Sequence, residues 1–71
     1  MTTPTTSLAE ALPLEQARVR ELIPIYESIG SAGMFATAMM NRSLRRADEA
    51  SASGDVVAML RAYEDLKGYK E

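Results

Sequence analysis

The sequence predicts an all-α fold: a small domain of three helices, the first kinked at a proline, the second long and central, the third folded back on it as an antiparallel hairpin. Three observations carry this reading. Apolar residues recur at steps of three and four through most of the chain, the spacing that puts them on one side of a helix. No alternating apolar and polar run flanked by Asn-Gly or Asp-Gly marks a β-hairpin. Ser53-Gly54-Asp55 combines a glycine, which ends a helix readily, with an aspartate, which starts one.

The elements follow in order. Residues 1–12 are polar and β-branched at their start, with an early proline, and read as a loose tail ahead of a single domain at 13–71. Pro13 suits a first helical turn because it has no N–H to leave unpaired, and Glu15 complements the positive helix end. A first helix is therefore expected over about 13–29, with Val19, Leu22, Tyr26 and Ile29 as its apolar stripe. Pro24 lies inside it and withholds a bond from the carbonyl of Arg20, which predicts a kink. Gly30 is expected to cap its end and Ser31 to start the next helix.

The second helix is expected over 32–53, roughly 33 Å long at 1.5 Å per residue. Ala36, Met40, Leu44 and Ala47 form one ridge on it, with Phe35 and Met39 on the neighbouring ridge. The third is expected over 55–67, with Val56, Met59, Leu60, Tyr63 and Leu66 facing inward and Gly68 ending it, after which Tyr69, Lys70 and Glu71 fray.

Composition bounds the chemistry. The 71 residues contain no histidine, no cysteine and no tryptophan, which removes the side chains behind most acid–base, nucleophilic and transition-metal sites. No catalytic residue, cofactor, metal or small-molecule substrate is expected. Eight basic and ten acidic residues give a net charge of -2, so nucleic acid and anionic membranes are unfavoured partners. There is no run of about 18 apolar residues and no signal-peptide pattern, and a cytoplasmic protein is expected. A domain this short buries only about 60% of its unfolded surface. Without disulfides or zinc, it relies on helix packing or on a partner.

Tyr26, Met34, Phe35, Met39 and Met40 are the candidate interaction residues. Methionine repacks cheaply around different shapes, and a fold of three short helices around one spine rarely covers every apolar side chain. The alternative is a basic patch of Arg42, Arg45 and Arg46 meeting phosphates. Asp48 and Glu49 stand three and four residues beyond Arg45, however, and predict intrahelical ion pairs on a solvated face instead. Gly30-Ser31-Ala32-Gly33 lacks the lysine and the preceding strand of a phosphate loop and reads as a capping turn.

The run Arg20-Glu21-Leu22-Ile23-Pro24-Ile25-Tyr26-Glu27-Ser28-Ile29-Gly30, then Ala32-Gly33 and Ser53-Gly54-Asp55-Val56-Val57-Ala58-Met59-Leu60, resembles small helical proteins of proteobacteria and their prophages. That resemblance implies a bacterial or phage origin and assigns no residue a role. The function expected from the residues is a non-enzymatic protein–protein interaction module, self-associating as a homodimer or docking on a larger protein.

Overall fold

The computed structural model describes residues 7–70. Its three helices are α1 (Leu8–Glu27), α2 (Ser31–Ser53) and α3 (Val56–Lys67), and no strand occurs among the described residues. The all-α expectation holds, and all three helix pairs pack against one another.

α1 begins five residues earlier than the sequence reading placed it. Ser7 and Glu10 form a capping box: the Ser7 hydroxyl accepts the Glu10 N–H at 3.2 Å, and the Glu10 carboxylate accepts the Ser7 N–H at 3.2 Å. This reciprocal pair satisfies two donors that the first turn would otherwise leave free. The stretch expected to be a loose tail therefore supplies a helical turn and Leu12, which has no exposed surface. The rest of that expected tail, residues 1–6, lies outside the described residues. Pro13 sits within the helix rather than at its start, and the helix runs through Pro24 as well.

The joint between α1 and α2 also differs from expectation. Ser28, not Gly30, caps α1, with its N–H donating to the Pro24 carbonyl at 3.1 Å and its hydroxyl to the Ile25 carbonyl at 2.6 Å. Gly30 is the N-cap of α2, and Ser31 is the first helical residue. Gly33 explains why the joint is so tight. A Cβ there would lie 1.7 Å from the Tyr26 carbonyl oxygen, so the last turn of α1 approaches the first turn of α2 to a distance that only glycine permits.

The second joint is as the sequence predicts. Gly54 takes φ 71°, the left-handed conformation that suits glycine, and its N–H donates to the Ala50 carbonyl at 3.1 Å. Asp55 accepts the Ala58 N–H at 3.2 Å as the N-cap of α3.

Leu12, Val19 and Leu22 of α1, Met40, Leu44 and Ala47 of α2, and Ala62 and Leu66 of α3 make the core. Val56 and Leu60, expected to face inward, are exposed, and Ala62 takes that place. Tyr69 does not fray. Its hydroxyl shares a hydrogen bond of 2.9 Å with the Ser43 hydroxyl, and Arg18 donates to the carbonyls of Leu66 and Tyr69, both at 2.9 Å. The C-terminal turn of α3 is thereby tied to both other helices.

Candidate interaction surface

α2 is 23 residues long and α3 only 12. At 1.5 Å per residue, α3 covers about half of α2. The first half of α2, Ser31–Asn41, carries no charged side chain, and its apolar residues point both ways. Gly33, Thr37 and Met40 are buried and Ala36 is half-buried, while Met34, Phe35, Ala38 and Met39 are exposed. At 100° per residue, these last four span an arc of about 140° opposite the buried side. Phe35 is 73% exposed and Met34 64%. A helix segment that is apolar all round is normally enclosed; this one is covered on one side only.

The five candidate interaction residues therefore separate. Met34, Phe35 and Met39 share the outer face. Met40 does not: it is 1% exposed and belongs to the core. One residue of helix turns Met39 and Met40 by about 100°, enough to put one sulfur outside and the other among Leu44 and Leu22. Tyr26 is half-buried against the core, with its hydroxyl donating to the Lys70 carbonyl, and fastens the C-terminal end of the chain.

Arg42, Arg45 and Arg46 are all exposed on the second half of α2. The ion pairs expected between them and the acids that follow are not formed, because the one salt bridge among the described residues joins Arg18 to Glu15 at 3.0 Å. Asp48 instead accepts a 2.8 Å hydrogen bond from the side-chain amide of Gln16, which is itself buried. This pairing fixes α1 against α2 through two polar residues that periodicity does not single out. Its only trace in the sequence is Gln16 on the Leu12–Val19 face.

A groove of about 560 Å³ runs between α2 and α3, with Arg46 and Glu49 on one wall and Arg61 and Asp65 on the other. Asp55 lines it as well, so three carboxylates face two arginines and the groove is no basic site for an anion. The three arginines do not converge on it, since Arg46 alone of the three lines it. Among the described residues, no group of three acidic side chains is close enough to hold a metal ion, and no helix is long and apolar enough to cross a membrane. Compared with known proteins, the chain matches no family model, no curated protein and no solved structure.

Proposed function

We propose that the protein is a non-enzymatic interaction module of the cytoplasm that binds another polypeptide through the outer face of the first half of α2. One observation carries this reading. Met34, Phe35, Ala38 and Met39 form a continuous exposed apolar strip on a segment without a single charge. Single exposed apolar residues are ordinary on protein surfaces, whereas a contiguous strip centred on a large aromatic is the usual composition of a binding surface. The mechanism is removal of that strip from water, with Phe35 as the main anchor.

Photo-crosslinking in living cells tests the reading. A photoreactive phenylalanine analogue at Phe35 or Met39 is expected to give adducts of discrete mass, and the same analogue at Glu64 none. Absence of adducts at all three positions overturns it.

A second reading gains support from Arg42, Arg45 and Arg46, three exposed guanidinium groups that make no ion pair among the described residues and could meet phosphates. If these residues bind duplex DNA, binding weakens steeply with salt and is lost in Arg45→Glu. No mobility shift at low salt rules this reading out.

A further inference from the structure

We infer that the occupant of the α2 face is a second copy of this chain, packed antiparallel about a two-fold axis that passes beside Ala36 and Thr37. The inference rests on the interaction reading above and adds the identity of the partner and the register.

The face is complementary to itself in shape. Ala38 is a small residue flanked on the same helix face by Met34, Phe35 and Met39, which leaves a depression ringed by large side chains. An antiparallel two-fold centred between Ala36 and Thr37 sets Phe35 of each copy opposite Ala38 of the other and Met34 opposite Met39. Phe35 of each copy then enters the depression at Ala38 of its mate while the methionines flank it, the reciprocal contact that a two-fold interface requires. The alanine also lets the helix axes approach to about 8 Å, the near end of the usual range.

The charges fit the same register. α1 has no basic residue in its last turn to offset the negative helix end, and Glu27 there is exposed and makes no ion pair among the described residues. In the antiparallel pair, Arg45 and Arg46 of one copy reach about one helical turn beyond the start of the other's α2, to the α1–α2 joint where Glu27 ends α1. Two cations that make no ion pair among the described residues thus approach an acidic helix end that has no cation of its own.

The area is sufficient for a reversible dimer. Met34, Phe35, Ala38 and Met39 offer on the order of 400 Å² per copy, and the stems of Asn41, Arg42 and Arg45 raise the total across both copies to about 1,200 Å². That is the low end of specific interfaces and predicts micromolar dissociation rather than an obligate dimer.

The test combines mass measurement with thiol pairing, which the absence of native cysteine makes clean. Sedimentation of the full chain from about 1 µM to about 1 mM is expected to show monomer passing to dimer, and Phe35→Glu to shift the midpoint at least tenfold. Phe35 is mostly solvent-exposed, so an unchanged thermal midpoint for that variant at high dilution separates lost association from lost folding.

Under mild oxidation Ala38→Cys is expected to give a covalent dimer, because the two positions are offset by only about 5 Å along the axis, and Ala52→Cys none, at about 45 Å. Arg45→Glu is expected to weaken the dimer several-fold, and Arg45→Glu with Glu27→Arg in the same chain to restore it. A monomer at the highest concentration overturns the inference, and equal pairing of both cysteine variants overturns the antiparallel register. If the purified chain stays monomeric while Phe35 still crosslinks to a larger protein in cells, the second copy is excluded and the interaction reading stands. If neither occurs, both fall.

Discussion

From Arg42 to Ser53, α2 places arginines and acids on its outer face and Ser43, Leu44, Ala47 and Ala50 on its inner one, and α3 lies along its flank. From Ser31 to Asn41, the same helix carries no charge, has large apolar residues on its outer face, and extends beyond the reach of α3. The second half is an ordinary amphipathic helix whose burial is complete within the monomer. The first half has two apolar sides and only one covering. Coverage rather than hydrophobicity separates the two sides here, since Met39 and Met40 are chemically identical neighbours of which one is exposed and the other buried.

The largest test of that difference is at the joint that aligns the first half of α2 with α1. Gly33→Ala places a methyl where the Tyr26 carbonyl stands, and neither backbone can yield without opening the joint. A loss of about 3 kcal/mol or more is expected, a large share of the stability of so small a domain, and urea unfolding measures it. A loss below about 1 kcal/mol would mean that the joint flexes and that the outer face has no fixed position.

Next comes the methionine pair. Met40→Ala is expected to cost about 3 kcal/mol, because it opens a cavity beside Leu44 and Leu22, and Met39→Ala less than about 1 kcal/mol at concentrations where the chain is monomeric. Equal costs would erase the distinction between the two sides of the helix.

The smallest expected effect has the opposite sign. The Thr37 hydroxyl oxygen is buried with no hydrogen-bond partner among the described residues, a net cost to the fold. Thr37→Val removes that cost while keeping the shape, and a gain of about 1 kcal/mol is expected in the same unfolding assay.

Much of this contrast was legible in the sequence. The Ser53-Gly54-Asp55 turn, the inner ridge of Ala36, Met40, Leu44 and Ala47, and the absence of charge before Arg42 all follow from residue type and spacing. The earlier start of α1 was legible too, because Ser7-Leu8-Ala9-Glu10 is a capping-box pattern. Pro13 obscured it: a proline signals a first turn strongly, although it is tolerated here further inside the helix. Spacing separated the Ala36–Met40 ridge from that of Phe35 and Met39, but it could not say which ridge of the first half of α2 is covered, since both are apolar. The packing of α1 against Gly33 and the short reach of α3 decide which are covered. The same holds for Val56 and Leu60, which the neighbouring helices leave in water. The Gln16–Asp48 bond and the anchoring of α3 by Arg18 join residues distant in sequence, and a one-dimensional pattern has no term for such pairs.

That anchoring also orders events in time. Leu66 completes the core, and Arg18 grips the carbonyls of Leu66 and Tyr69, which leave the ribosome 48 and 51 residues after it. Without that last turn, α1 and α2 would pack around an unfilled gap. Any folding intermediate made of α1 and α2 alone therefore exposes more apolar surface than the three-helix fold, and it closes only when the last turn of α3 docks.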